Sequence, residues 1–215
     1  MKKVKRLVWQ GLNKLHVGGL IQLGLKSALM ESGWFRSFHT KQSVDAAGAP
    51  LPWCTYPYIS FIMPRLEKHW RVFEYGCGNS TRWYADRVGR ITAVEHDTRW
   101  VQQVRSLLPA NASVIQQALE SGNDYPQQVH AEGKPYELII IDGRRRNDCA
   151  QEATQALTAD GVIVFDNSDR DDYQIAMTHL AAQGFRRLDF WGLSPITSHL
   201  NCTSIFYRSP NCLGI

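Results

Sequence analysis

The sequence lacks most of what would mark a secreted, membrane-spanning or metal-stapled protein. Its five cysteines, Cys54, Cys77, Cys149, Cys202 and Cys212, are an odd number and form no CxxC pair. That speaks against a disulfide framework or a cysteine zinc site and fits a reducing compartment. No apolar run reaches the roughly 20 residues that cross a bilayer. The best stretch, 15–25, is broken by His16, Gln22 and glycines and stops at Lys26, so it is a poor signal-peptide core. The chain therefore reads as cytoplasmic. Low-complexity segments are missing, which removes the case for disorder. Charge is in no great excess either. A net +4, with local clusters at Lys2, Lys3, Lys5, Arg6 and at Arg144, Arg145, Arg146, does not amount to a nucleic-acid footprint, and no nucleic acid is expected as a partner.

What is present is an ordinary globular composition, 44% hydrophobic and 20% charged, in a chain of 215 residues, long enough to bury a core without staples. The pattern divides it into two parts. Residues 1–50 form an N-terminal amphipathic helical extension and a linker, and 51–215 form the main domain. In 1–35, Val4, Leu7, Val8, Leu12 and Leu15 recur at helical spacing among Lys and Asn. Gly18 and Gly19 weaken any single long helix. Packing on the domain is the plain reading of this segment. A weak peripheral contact with anionic lipid or with a partner, through the basic helix, is the sharper one. Residues 36–52 read as linker, and an aromatic, proline-rich stretch leads into a short helix near 59–67.

From Arg71 onward strands alternate with helices. Strands are predicted at 72–75, 91–94, 113–116, 136–141, 162–165, 186–191 and 203–207. Helices are predicted at 80–88, 99–108, 148–157 and 173–183, with Asp148 as an N-cap and Gly161 beyond the helix end. The continuous run Leu138, Ile139, Ile140, Ile141 marks a parallel strand buried on both faces. The fold class is thus α/β: a Rossmann-like, doubly wound, mostly parallel seven-stranded sheet with helices on both faces, plus the N-terminal helical extension. In such a sheet ligands sit at the carboxyl ends of the strands, near the switch point, so the residues just after each strand are the candidates for function.

The first strand ends in Glu74-Tyr75-Gly76-Cys77-Gly78-Asn79-Ser80-Thr81. Two glycines permit a tight turn and close approach of a ligand to the backbone, and the following helix offers free N–H groups. A dinucleotide G-x-G-x-x-G would need glycine where Thr81 stands. Glu74 suits a cationic or amino-bearing ligand, which a pyrophosphate site would not want. The second strand ends in Glu95-His96-Asp97, roughly 20 residues past the glycines, where an acid accepts the hydroxyls of a ribose. Asp142 follows the fourth strand, and Asp166 and Asn167 follow the fifth. These three oxygen donors suit a hard cation such as magnesium.

On Glu74-x-Gly76-x-Gly78, Glu95, Ile139-Ile140-Ile141-Asp142-Gly143 and Val162-Ile163-Val164-Phe165-Asp166-Asn167, residues 70 to 208 resemble the class I S-adenosylmethionine-dependent methyltransferases. The resemblance implies that Glu74, Gly76, Cys77, Gly78 and Ser80 surround the methionine part of S-adenosylmethionine. It places Glu95 and His96 at the ribose, Gln117 and Ala118 at the adenine, and Asp142 beside the cofactor. The set Asp142, Asp166 and Asn167 is also similar to the metal ligands of catechol-type O-methyltransferases, which implies magnesium as a second cofactor. That family carries a lysine base where this chain has Arg145, and arginine stays protonated. Asp142 and Arg145 are the candidate catalytic residues, and the arginine run can instead clamp an anionic group of the substrate or form a solvated loop. The implied activity is O-methylation of a small-molecule or glycan-type acceptor, with metal assistance where the three ligands hold one. Trp53, Tyr56 and Tyr58 read first as core packing; with the loop from Trp191 to Asn201 they otherwise frame the acceptor.

Rival readings are a non-catalytic S-adenosylmethionine-binding or interaction module, an NAD-binding oxidoreductase, and a relative of the aminopropyl transferases. The acceptor, the base and the oligomeric state, homodimer included, stay open at the level of sequence.

Overall fold

A computed structural model describes residues 2–120 and 122–215. The seven strands are β1 (Arg71–Tyr75), β2 (Arg90–Glu95), β3 (Ala112–Gln116), β4 (Tyr136–Ile141), β5 (Leu157–Asp166), β6 (Arg186–Gly192) and β7 (Asn201–Tyr207). They form one sheet in the order β3-β2-β1-β4-β5-β7-β6. The pairs β1–β2, β2–β3, β1–β4 and β4–β5 are parallel, whereas β7 runs antiparallel to both β5 and β6. The chain order reverses between β1 and β4, and this switch point opens the crevice where ligands bind in such sheets.

Alternation along the central strands explains the continuous apolar runs. Phe73, Tyr75, Ile139, Ile141, Ile163 and Phe165 face one core, against α8 (Asp124–Gln127), α9 (Arg146–Ala153) and α10 (Gln174–Ala182). Val72, Leu138, Ile140, Val162 and Val164 face the other, against α5 (Tyr56–Ile62) and α6 (Asn79–Ala85). On that same side Val101 of α7 (Thr98–Arg105) packs on Ala93 and Val114. A strand covered on both faces has no polar side, so its positions are mostly apolar, with Glu74 of β1 a buried exception.

The N-terminal residues form four short helices, as glycines that weaken a single long one allow. They are α1 (Lys2–Lys14), α2 (Gly18–Leu25), α3 (Ala28–Glu31) and α4 (Trp34–Thr40). The breaks fall at His16, Ser27 and Gly33, and the backbone is left-handed at His16 and Gly33. Helix α4 is anchored: Trp34 donates through Nε1 to the carbonyl of Thr197, 2.7 Å away. Residues after it are not a plain linker, since Val44 and Pro50 form a β-bridge. α1, by contrast, buries no residue.

Two further expectations change. Asp148 lies inside the first turn of α9 rather than capping it, because the helix begins at Arg146 and ends at Ala153. Gly161 is not beyond a helix but within the ten-residue β5. There the pairing with β4 shifts register between Tyr136 and Leu138. A Cβ at Gly161 would stand 2.8 Å from the Tyr136 carbonyl oxygen, so the irregular pairing needs a residue without one.

Candidate functional site

The strand register gathers the candidate residues at the carboxyl end of the sheet. Tyr75 pairs with Val94 and with Ile141, and Ile141 with Phe165. Gly76, Glu95, Asp142 and Asp166 therefore leave four neighbouring strands at one level. The loops after β1 and β4 touch backbone to backbone. A Cβ on Gly143 would lie 2.3 Å from the Tyr125 hydroxyl and 2.8 Å from the Gly76 nitrogen, and one on Gly76 would lie 3.3 Å from the Gly143 Cα. Gly76 has φ +95°, which only glycine adopts readily.

Glu74 turns inward rather than toward the crevice. It is 1% exposed. Thr81 Oγ1 donates to its Oε2 at 2.5 Å, and the same hydroxyl accepts from the Gly78 N–H at 3.0 Å. Thr81, at the place of the absent third glycine, is thus the link that ties the glycine loop to the buried acid. Burial pushes the Glu74 carboxyl up to about 8 against the opposing Ser80 and Thr81 hydroxyls, with Asp142 and Glu95 adding to the rise.

Glu95 is prepared differently. Its Oε1 accepts from the backbone N–H groups of His96 and Asp97 at 2.7 and 3.0 Å. Among the described residues no donor is bonded to Oε2, so one carboxylate oxygen is left for a ligand. His96 Nδ1 lies 2.5 Å from Oε1 yet makes no hydrogen bond of acceptable angle. Asp97 caps α7 by accepting from the backbone of Arg99 and Trp100. Trp100 reaches back over the glycine loop, donating through Nε1 to the Cys77 carbonyl at 2.8 Å. Its ring edge would be 3.6 Å from a Cβ at Gly78. The Cys77 thiol is pushed up by burial and by Glu74 and Glu95, so it stays protonated. Gln117 and Ala118, just after β3, are partly exposed beside this row, with the Gln117 N–H bonded to the Glu95 carbonyl.

The arginine run divides three ways. Arg144 is exposed. Arg145, left-handed at φ +51°, turns outward and donates to Asp148 Oδ2 at 2.8 Å and to the Gly122 carbonyl. It therefore does not join Asp142, and the catalytic role expected for it has no geometric basis. Arg146 turns inward, with 8% of its side chain exposed. Its Nη2 donates to Asp142 Oδ1 at 2.7 Å and to the Asp142 carbonyl at 3.0 Å, and its Nε to the Gly143 carbonyl at 3.0 Å. Nη1 donates to the Asp166 carbonyl and stands 3.5 Å from Asn167 Oδ1. The guanidinium also lies 5.3 Å from the Tyr173 ring centre.

This arrangement gives the magnesium expectation no support. The place between Asp142, Asp166 and Asn167 is taken by a guanidinium, and Asp166 Oδ1 accepts from Thr203 Oγ1 at 2.6 Å. Among the described residues no three His, Cys, Asp or Glu side chains group as metal ligands. The donors present do not fit a magnesium ion, whose shell needs free oxygens near 2.1 Å. Burial raises the Asp142 carboxyl while Arg146 opposes the rise. Asp166 is raised by burial and by Asp142, again against Arg146. Burial alone would weaken the guanidinium's hold on its proton, but the two carboxylates outweigh it.

Of the aromatics expected near an acceptor, Tyr58 is core: it is fully buried and its hydroxyl is 2.6 Å from that of Tyr84. Trp53 and Trp191 are about half exposed. The N-terminal extension closes this end. Asn79 Nδ2 donates to the Ser43 carbonyl at 2.8 Å, and the Tyr56 N–H to the Leu193 carbonyl. Sequence reasoning names Thr81 and Arg146 without these roles, and it misses Thr203 and Trp100. The one available signal was the spacing of Asp142 and Arg146, which are four apart where a helix begins.

No family model and no curated protein matches the chain. Solved structures do match its shape. It is similar to precorrin-6y C5,15-methyltransferase from Geobacter metallireducens at 15% identity, over 71% of this chain and 87% of that one, with TM-score 0.57. A rRNA methylase from Streptococcus thermophilus matches at 14% identity, over 70% and 93%, with TM-score 0.53. Spermidine synthase from Thermotoga maritima matches at 18% identity, over 75% and 59%, with TM-score 0.54. The chain therefore has the Rossmann-like methyltransferase fold.

Two outcomes follow from the buried charges. Arg146→Ala strands Asp142 and Asp166 without their cation and is expected to cost about 3–5 kcal/mol in urea denaturation; a loss below about 1 kcal/mol would show that the bridge is dispensable. Glu74 keeps its proton in the folded state between about 4.5 and 8 and loses it when unfolded, so its contribution is complete below that window and is lost as pH rises through it. Glu74→Gln stays neutral. Its stability should fall less steeply across the window, by about 1.4 kcal/mol per pH unit, whereas an unchanged slope would mean that Glu74 is ionised in the native protein.

Proposed function

We propose that the chain is an S-adenosylmethionine-dependent methyltransferase acting on an oxygen of a small-molecule or glycan-type acceptor, inside the reducing interior of the cell. One observation carries the reading. At the switch point, a glycine turn held open by the Glu74–Thr81–Gly78 link faces a Glu95 carboxylate whose Oε1 is locked by two backbone donors and whose Oε2 is free. A locked carboxylate with one vacant oxygen suits a ribose hydroxyl, because the ordering cost is met before the ligand arrives.

In this reading Gly76, Cys77, Gly78 and Ser80 line the methionine part of the cofactor, and Glu74 acts on it indirectly by positioning the loop. Glu95, with His96 beside it, takes the ribose, and Gln117 and Ala118 border the adenine. Bound S-adenosylmethionine supplies an activated methyl group on a sulfonium. The chain's own work is to align the acceptor oxygen, keep out water and take up a proton. Asp142 is the proposed catalytic residue. It lies at the mouth with 23% of its side chain exposed, is held by Arg146, and has a raised proton affinity that makes it a better base than a free carboxylate. No step runs through a metal, and Arg145 has no part.

The aminopropyl-transferase reading shares the fold and would use the same Glu95 contact, so turnover separates the two: methyl transfer leaves S-adenosylhomocysteine as its product. Binding tests the cofactor itself. Calorimetric titration should give saturable S-adenosylmethionine binding by the wild type, weakened roughly 10- to 100-fold in Glu95→Ala through loss of the hydrogen bonds its carboxyl group offers. Binding of NAD in place of S-adenosylmethionine would overturn the proposal.

A further inference from the structure

The site above leaves the first two helices unused, and they are unlike the rest of the surface. Before Glu31 the sequence has no acidic residue, while Lys2, Lys3, Lys5, Arg6, Lys14 and Lys26 are all basic. α1 buries none of its residues, and its apolar side chains are open: Val4 is 64% exposed, Leu7 65% and Val8 57%. At 3.6 residues per turn, Val4, Leu7, Val8 and Leu12 fall within about 140° of the helix circumference. Lys3, Lys5 and Lys14 stand at the borders of this stripe, and Lys2 and Arg6 lie opposite. α2 is apolar on most of its circumference. Leu20, Ile21, Leu23 and Leu25 are exposed and spread over about 200°.

We infer that α1 and α2 form a docking surface for an anionic lipid bilayer. Two features select this occupant. The uniform positive charge complements a negative headgroup layer, with bordering lysines able to reach up to phosphates while their stems follow the apolar stripe. The broad apolar arc of α2 suits a fluid apolar medium, since a protein groove grips one stripe of a helix. The helices lie on the membrane and do not cross it. The 13 residues of α1 extend about 20 Å, short of the ~30 Å hydrocarbon core, and among the described residues no helix is long and apolar enough to span it. The docked segment joins the domain at the end that holds the candidate site, through Trp34 on the β6–β7 loop and Ser43 on the first residue of α6. The inference does not depend on which reaction that site carries.

The test is sedimentation of the full chain with phosphatidylcholine vesicles, with and without phosphatidylglycerol, at low and high salt. Binding should require phosphatidylglycerol and weaken with salt. Reversing two charges in Lys5→Glu/Arg6→Glu should lower the affinity roughly tenfold or more. Leu7→Asp/Leu20→Asp should abolish it, with thermal midpoints unchanged because neither helix packs on the core. Equal binding to both vesicle types, or to neither, would overturn the inference. So would a dimer in light scattering that Leu7→Asp/Leu20→Asp dissociates, since a second copy would then cover the face.

Discussion

A guanidinium buried at the ends of two adjacent parallel strands sets the terms for everything around it. Asp142 and Asp166 leave β4 and β5 side by side, and two carboxylates so placed would repel each other in a medium that solvates them poorly. Arg146 removes the conflict. It bonds Asp142 directly, takes three backbone carbonyls from both loops and lies by the Tyr173 ring. The loops after β4 and β5 are thereby fixed to one another by the first residue of α9. A divalent cation could supply the same positive charge, and a protein that builds it into its own chain has no need to recruit one.

The other half of the site rests on an inward acid of opposite design. Glu74 has no cation and stays protonated, bonded to Thr81, which in turn holds Gly78. Glu95 lies close by and is held in a different way, clamped by backbone N–H groups at the start of a helix. Two carboxyls within one crevice are thus separated in role by their surroundings: one is buried and tied to the glycine loop, the other is clamped through one oxygen and open on the other. The close backbone contact of Gly76 and Gly143 brings the two halves together.

Most of the fold was legible because its signal is periodic and local. The runs at 138–141 and 162–165 announced strands covered on both faces, and the acids following each strand announced the row at their ends. What the sequence concealed was direction. Arg144, Arg145 and Arg146 are identical letters, and their different fates depend on a left-handed turn at Arg145 that starts α9 one residue later. Oxygen donors at Asp142, Asp166 and Asn167 read as a metal shell until the three-dimensional register placed a cation from the same loop among them. Gly161 reads as a helix terminator because nothing local reports the register shift it accommodates in β5. Tyr58 and Trp53 are both aromatic and close in sequence, yet only the packing of α5 separates the core residue from the exposed one.

The central claim is that Arg146 occupies the place a metal would take. Its most direct test is calorimetric titration of magnesium into chelator-treated protein, in wild type and in Asp166→Asn. The account predicts no saturable uptake by either. Stoichiometric binding to the wild type that disappears in Asp166→Asn would contradict it, for the strand-end carboxylates would then be metal ligands from which the guanidinium moves aside.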